Sequence, residues 1–417
     1  SIDSATGQVT FTPTDKSYTG AVTPAKVQAE SSNGIKVDTT YTPEIVPVTP
    51  TATPAETTDI QGATQTGKPE FKGGTVTVDG VEKTVAINEA VPATFDDGST
   101  TKSVDGVGTY TVAADGTVTF VPEPSFTGTA PAVTVVREDK NGTKASATYT
   151  PSVTPITVTP TDKVSADIQN VPQTQTPTFD LSNDKTAEIT SKKLVDPATG
   201  QPTDETTVTV AGEGSYTIDP TTGAVTFTPE KDFVGTAKGV TVQATATITN
   251  ANGKTATITS DATYTPTVVP AVPTANPATS KDVQGATQTG TPTFAGTTVQ
   301  VNGEDKAITI KDNSYTLLDK EGNEVSSTPA YAADGTTEIG TYSIDSATGQ
   351  VTFTPTDKSY TGVVTPAKVQ AESSNGIKVD TTYTPEIVPV TPTATPAETE
   401  DIQGATQTGK PEFKGGT

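Results

Sequence analysis

Gly214-Ser215-Tyr216-Thr217-Ile218-Asp219-Pro220-Thr221-Thr222-Gly223-Ala224-Val225-Thr226-Phe227-Thr228-Pro229 is the stretch that decides the fold. Tyr216 and Ile218 alternate with polar residues, and Val225 and Phe227 do the same on the far side, the period of a half-buried strand. Between them Asp219, Pro220 and Gly223 supply turn chemistry: Asp bonds the backbone, Pro fixes φ, and Gly accepts positive φ. The stretch reads as a β-hairpin. It returns as Gly340 to Pro355, with Tyr342, Ile344, Val351 and Phe353 in the same places, and more loosely as Gly108 to Pro122. The chain opens inside a fourth copy, Ser1-Ile2-Asp3 leading to Phe11-Thr12-Pro13. An internal repeat therefore governs everything else.

A second landmark sets the period. Asp59-Ile60-Gln61-Gly62-Ala63-Thr64-Gln65-Thr66-Gly67 recurs from Asp282 and again from Asp401, with a degenerate version from Asp167 that carries Asn170-Val171-Pro172. The expected organisation is the C-terminal part of a module (1–57), three whole modules (58–166, 167–281 and 282–400), and the start of another (401–417). The chain thus reads as a slice of something longer. Residues 1–75 match 343–417 except for Ala21 against Val363 and Thr58 against Glu400, a mark of recent duplication.

Each module follows one plan. A variable segment follows the opener, then the hairpin, then an aromatic near Gly: Tyr18, Phe126, Phe233 and Tyr360. Val240, Val242, Ala244, Ala246 and Ile248 then alternate strictly with polar residues, and Ala256, Ile258, Ala262 and Tyr264 carry the chain back. Asn33-Gly34, Asn141-Gly142, Asn252-Gly253 and Asn375-Gly376 mark the turns between such strands. A Tyr-Thr-Pro closer (Tyr41, Tyr149, Tyr264, Tyr383) leads into a Pro-punctuated tail, and Pro at this spacing favours an extended, stiff connector over helix or central strand. No helical periodicity stands out. The expected fold is all-β, a tandem array of elongated, Ig-like β-sandwich modules joined end to end by Pro-rich connectors.

Composition narrows the function. The chain has 26 Lys+Arg against 49 Asp+Glu, a net charge of −23, which disfavours nucleic acid and anionic membrane surfaces. It has no Cys, His, Met or Trp, so thiol chemistry, disulfides, imidazole bases and the commonest metal ligands are missing together. No apolar run reaches the length of a spanning helix. Thr and Val dominate the rest, and both favour strands.

With hairpin, opener and closer in place, the chain resembles the CshA-type fibril repeat of streptococcal and other Gram-positive surface adhesins. The resemblance covers essentially the whole chain. It implies the stalk of an extracellular, cell-wall-anchored fibril, with a separate N-terminal region for host matrix and a C-terminal anchor, neither of which lies within these residues. Two departures from the pattern, Ala113-Ala114-Asp115-Gly116 at the hairpin turn and Asn170-Val171-Pro172 in the opener, leave the β pattern intact and bear on local stability.

Site by site, the bland reading is preferred. Asp96-Asp97-Gly98 is expected to be a solvated turn, not an acid/base pair. Asp180-Leu181-Ser182-Asn183-Asp184 alternates oxygen ligands but lacks the Gly and Glu of an EF-hand loop. Gly106-Val107-Gly108 and Gly212-Glu213-Gly214 lack the rest of a phosphate loop. Lys26 and Lys368 are replaced by Thr134 and Thr241 in the other modules, so an isopeptide bond there is no general feature of the repeat. The aromatics before Gly are expected to plug the core. No catalytic, cofactor-binding or metal site is expected, and the protein is read as no enzyme. The leading function is a structural stalk that projects an adhesive tip from the cell wall, its partners within the chain being neighbouring modules. The alternative makes the repeats a multivalent adhesin for host matrix or partner bacteria through variable loops at 76–102, 182–206 and 297–337.

Overall fold

A computed structural model describes residues 1–416, so the last expected piece, 401–417, ends on Thr417 outside the described residues. The chain forms two compact units. One comprises Ser1–Thr161, Thr178–Lys192 and Gln243–Ala262; the other comprises Asp162–Pro177, Lys193–Val242 and the residues from Thr263 on. All regular structure among the described residues is β.

In the first unit the module at its centre is a two-sheet sandwich. One sheet runs Thr101–Val104, Gly108–Val112, Val118–Pro122, Gln65–Gly67. The other runs Gly128–Thr129, Lys144–Thr154, Val133–Glu138, Thr94–Phe95, with Ala55–Ile60 added in parallel to Lys144–Thr154. Tyr110 and Phe120 from the first sheet share a buried cluster with Val133, Val135 and Tyr149 from the second. The Tyr110 and Phe120 rings lie 4.6 Å apart. The alternation of apolar residues is thus the alternation of inward and outward faces.

The second unit repeats the arrangement. Gln288–Gly290, Val351–Pro355, Glu338–Ile344 and Ser327–Tyr331 form one sheet. Ala278–Val283, Lys378–Val388, Ala367–Glu372, Thr316–Leu318 and Glu324–Val325 form the other. Tyr342, Phe353, Val369 and Tyr383 share its core. The same unit holds the hairpin sheet of the middle repeat: Gln173–Gln175, Val225–Pro229, Gly214–Ile218, Thr207–Val210.

The deciding hairpin forms as read. Tyr216 pairs with Phe227 and Ile218 with Val225. The Asp219 carboxylate accepts the Thr221 and Thr222 amides at 2.8 and 3.3 Å, and the Gly223 amide donates to the Asp219 carbonyl at 2.7 Å with φ 79°. Asp345 caps the equivalent turn in the same way. These amide bonds hold the Asp219 and Asp345 carboxyls below their ordinary value of 3.8. Burial pushes the Tyr110, Tyr216 and Tyr342 hydroxyls well above their ordinary 10.0.

A pH profile follows. The depressed carboxylates contribute stability above the unfolded pKa and lose it as pH falls below that value; the raised tyrosines contribute stability below 10.0 and lose it as pH rises past it. With no His or Cys in the chain, the thermal midpoint is expected to be flat between about pH 5 and 9 and to fall on both sides. A maximum inside that plateau would contradict the assignment.

Residues 1–13 repeat 343–355, yet make only an isolated bridge between Ile2 and Val9. Phe11 is 41% exposed where Phe353 is 1%, and Tyr41 is 36% exposed where Tyr383 is 0%. Residues 1–57 hold no counterpart of 282–342 to cover them. Val351–Pro355 forms against Glu338–Ile344, of which residues 1–57 repeat only the last two positions, as Ser1 and Ile2.

Three local features go beyond the sequence reading. The Tyr-Thr-Pro closer does not end the sheet: Pro151 lies within Lys144–Thr154 and Pro385 within Lys378–Val388. Pro is tolerated because its carbonyl still serves, that of Pro151 accepting the Ala130 amide at 2.9 Å. The Pro-punctuated tails are also paired, not bare: Thr51–Thr53 with Glu70–Lys72, Val158–Thr161 with Thr178–Leu181, and Thr274–Asn276 with Thr293–Ala295. Finally, the variable segments contain strands. Gly74–Val78 and Val81–Val85 form a hairpin on Asp79-Gly80, and Thr298–Val301 and Glu304–Ala307 form one on Asn302-Gly303. Both residues of each turn have positive φ, as a two-residue turn of the right twist requires.

Candidate functional site: the module clasp and the joints

Opener and closer meet. In the first whole module the Thr57 hydroxyl donates to Gln65 Oε1 at 2.6 Å and lies 2.7 Å from the Tyr149 hydroxyl, while Gln65 Nε2 donates to the Ser152 carbonyl at 2.9 Å. Thr57 has one proton and gives it to Gln65, so Tyr149 donates to Thr57. The same clasp is built from Ser165, Gln173 and Tyr264, and from Ser280, Gln288 and Tyr383. It sits on the parallel pairing of the module's first and last long strands: Ala55 to Ile60 beside Tyr149 to Thr154, Lys163 to Ile168 beside Tyr264 to Val269, and Ala278 to Val283 beside Tyr383 to Val388. The clasp joins residues about ninety or more positions apart, beyond any local motif.

The opener's other end builds a joint. In the first unit Gln61 is buried; its Nε2 donates to the Pro124 carbonyl at 2.8 Å and its Oε1 accepts the Ile156 amide at 3.1 Å. The Thr186 hydroxyl donates to the Gln61 carbonyl at 2.6 Å. From the following repeat, the turn at Asn250 comes down on this surface: Asn250 Nδ2 donates to the Pro122 carbonyl at 2.8 Å, and Lys254 pairs with Glu123 at 2.6 Å. Ile248 packs with Ile156 and Ala187. A Cβ on Gly62, at φ 82°, would stand 3.0 Å from Ile248 Cγ2, so Gly62 makes room for the next module's strand end.

The second unit holds a joint of the same plan with different residues. Asn375 Nδ2 donates to the Gln169 and Ala271 carbonyls at 3.2 and 3.0 Å, and Asn170 Nδ2 returns a bond to the Asn375 carbonyl at 3.2 Å. Ile168, Ala271, Val301 and Ile308 form the apolar part. The departure at Asn170 is therefore explained: Asn tolerates the positive φ that Gly62 and Gly285 adopt, here 65°, and adds a donor to the joint. Val301 and Ile308 come from the variable segment 297–337, so part of that segment serves the joint.

The turn chemistry at the joints differs from the two-residue form that Asn-Gly suggests. The Asn250 carboxamide Oδ1 accepts the Asn252 and Lys254 amides, and only Gly253 takes positive φ. The residue two before Asn-Gly is the cap, and in the preceding module it is Asp139, fully buried, accepting the Asn141 and Thr143 amides. Asn250→Asp keeps those caps and removes the Pro122 bond. A loss of about 1–3 kcal/mol is expected for the unpaired carbonyl, seen as faster amide exchange at Gln61 and Ile156; unchanged exchange would remove Asn250 from the joint.

The residues singled out in the sequence fall elsewhere. Asp96 and Asp97 sit in a turn closed by the Gly98 amide on the Phe95 carbonyl, and both pair with Lys102. Asp180 lies exposed in Thr178–Leu181, Ser182 accepts the Thr157 amide, and Asn183 accepts the Lys185 amide, so their oxygens do not converge. Among the described residues no group of three or more acidic, His or Cys side chains is placed to hold a metal. Lys368 is exposed between inward-facing Ala367 and Val369. Gly108 and Gly214 lie in strands whose facing Phe ring covers them. The core plugs are Tyr110, Tyr216, Tyr342, Phe120, Phe227 and Phe353. Phe126 and Tyr360 only border the cores, and Tyr18 is exposed. Tyr360 folds back over Gly362, where a Cβ would lie 2.2 Å from its hydroxyl, and donates to the Val363 carbonyl at 2.8 Å. Val363 itself points outward, which is why it can differ from Ala21.

The variable segment of the last module also lines a cavity of about 400 Å³ with Lys311, Tyr315, Glu324 and Lys378. Its charges are largely neutralised: Lys311 pairs with Glu372 at 3.1 Å, and Lys378 with Glu324.

Sandwich modules in tandem, each clasped strand to strand and docked on its neighbour, define a structural repeat array. The chain belongs to the surface adhesin CshA repetitive domain family, whose model matches residues 1–45, 47–153, 155–268 and 270–387. The family places the chain in an extracellular surface protein and among adhesin repeat regions. No curated protein matches it. Among solved structures, the I9–I11 tandem of titin is 11% identical over 82% of this chain and 97% of that one, with a TM-score of 0.29. Mouse cadherin-23 EC22–24 is 14% identical over 82% of this chain and 100% of the other, with a TM-score of 0.24. The sandwich rests on the strand pairing and shared cores above.

Proposed function

We propose that the chain is part of a non-enzymatic stalk, anchored at a Gram-positive cell wall, that projects an adhesive region and bears the load placed on it. Modules are proposed at 58–166, 167–281 and 282–400, each clasped by a strand that begins in the Pro-rich tail just before it, at Ala55, Lys163 and Ala278, so that each tail is bonded to the module that follows. The parallel clasp is the observation that carries this reading. Ala55 pairs beside Tyr149 and Ile60 beside Thr154, so the module's entry and exit lie at opposite ends of the pair. Tension applied through entry and exit slides these two strands past one another. Sliding loads all of their hydrogen bonds together, together with the Thr57–Gln65–Tyr149 bonds, whereas peeling would load them singly. A net charge of −23 keeps neighbouring chains apart.

The reading is tested by binding. The full chain, shown to be folded by its β-type circular dichroism, is expected to give no saturable binding to immobilised matrix proteins or to other bacteria. Saturable binding that disappears when 297–337 is shortened would instead make the repeats the adhesin, with the Lys311–Tyr315 cavity as its first candidate site.

A further inference from the structure

We infer that Asn375-Gly376 is a deamidation site that acts as a one-way latch on the joint between the middle and last modules. The inference does not depend on whether the array is a stalk or an adhesin. Asn followed by Gly is the dipeptide in which the next backbone nitrogen most freely attacks the side-chain amide, because Gly carries no Cβ to hinder the approach. The Gly376 nitrogen bonds to Asn375 Cγ and gives up its proton, Nδ2 leaves as ammonia, and water then opens the cyclic imide to aspartate or isoaspartate. No oxidant or enzyme is needed.

Two observations single out Asn375. Its Nδ2 holds the Gln169 and Ala271 carbonyls while the joint is closed, whereas the Ser373 hydroxyl on its Oδ1 is local to the turn and is matched by Ser31 on Asn33. Attack on Cγ swings the side chain onto the Gly376 nitrogen and Nδ2 departs, so the two Nδ2 bonds must break and the joint itself gates the reaction. Once deamidated, the side chain carries a carboxylate or a displaced backbone toward two carbonyls and can no longer donate. The joint stays open. The same seven residues, Glu-Ser-Ser-Asn-Gly-Ile-Lys, also occur at 30–36, where Asn33 is exposed and touches no opener. Asn141-Gly142 occupies the same turn of a complete module and is half-exposed without such bonds. Of the chain's five Asn-Gly pairs, the docked Asn375 is compared with two others, Asn33 with identical flanking sequence and Asn141 in a complete module.

The full chain is aged in mildly alkaline buffer and digested with chymotrypsin. Cleavage after the Tyr residues leaves Asn33 in 19–41 and Asn375 in 361–383, and these peptides differ in mass through Ala21 and Val363. Deamidation of Asn375 is expected to be slower than that of both Asn33 and Asn141 by at least about tenfold, equivalent to about 1.4 kcal/mol of opening. In parallel, Asn375→Asp and the uncharged Asn375→Ala, each in the full chain, are expected to raise amide exchange at residues 269–272 and 301–308 while the Tyr342–Phe353 core stays protected. Equal rates at Asn141 and Asn375 would show that the turn alone sets the reaction and would overturn the gate. Unchanged exchange in both variants would overturn the latch.

Discussion

Phe353→Ala removes about 3–5 kcal/mol from the last module, whereas Phe11→Ala, in the same pentapeptide, changes the stability of the chain by less than about 0.5 kcal/mol. Phe353 is almost fully buried, its ring 5.5 Å from that of Tyr342 and covering Gly340. Its removal leaves a void between two sheets whose backbones are pinned by their own hydrogen bonds, so collapse recovers little. The stability of a domain of this size is of order 5–15 kcal/mol, so the module is left near its unfolding threshold. Phe11 lacks the partner strand that Phe353 has, since residues 1–57 hold no counterpart of Tyr342. The pair is read by chemical denaturation of the full chain: a low-denaturant transition appears for Phe353→Ala and not for Phe11→Ala. Equal effects would mean that residues 1–57 pack as the last module does.

Gly108→Ala is the second large effect, at about 2–5 kcal/mol, combining overpacking with a strained backbone. At φ 153° its added Cβ would meet the Val121 carbonyl oxygen at 2.4 Å and Phe120 Cε2 at 2.8 Å. The carbonyl belongs to the paired strand and cannot rotate away. Gly106 provides the contrast, two residues earlier at φ 70° with nothing within 4 Å of a Cβ. Gly106→Ala is expected to cost only the left-handed backbone, about 1–2 kcal/mol. Thermal unfolding separates the two, and a larger effect at Gly106 would contradict the packing described for Gly108.

What the sequence disclosed follows from how local each interaction is. Strict alternation in Val240 to Ile248 and the Asp-x-x-Thr-Gly turn are contained within a few residues, so strands, faces and hairpins were legible. The closer was legible as a motif but not as a contact. Tyr149 acts on Thr57, far away in sequence, and nothing within Tyr-Thr-Pro announces that partner. Pro was misleading in the same region, since its fixed φ is compatible with a strand whose carbonyls alone are needed, as at Pro151. The variable segments hid their strands because an edge hairpin such as Thr298–Val301 with Glu304–Ala307 buries too little to impose alternation. Asn302-Gly303 was the available signal there. The joint had the weakest trace: a Gly62 that needed a reason, an Asn170 that broke the pattern, and a polar residue two before each Asn-Gly.

Pulling the full chain by its ends tests the load-bearing clasp most directly. The account predicts separate unfolding events, one for each whole module, each releasing roughly 360–430 Å of chain at 3.3–3.6 Å per residue. It also predicts that Thr57→Val lowers the force of one event and leaves the others unchanged. A featureless extension at low force, or a Thr57→Val chain that unfolds at the original forces, would contradict it.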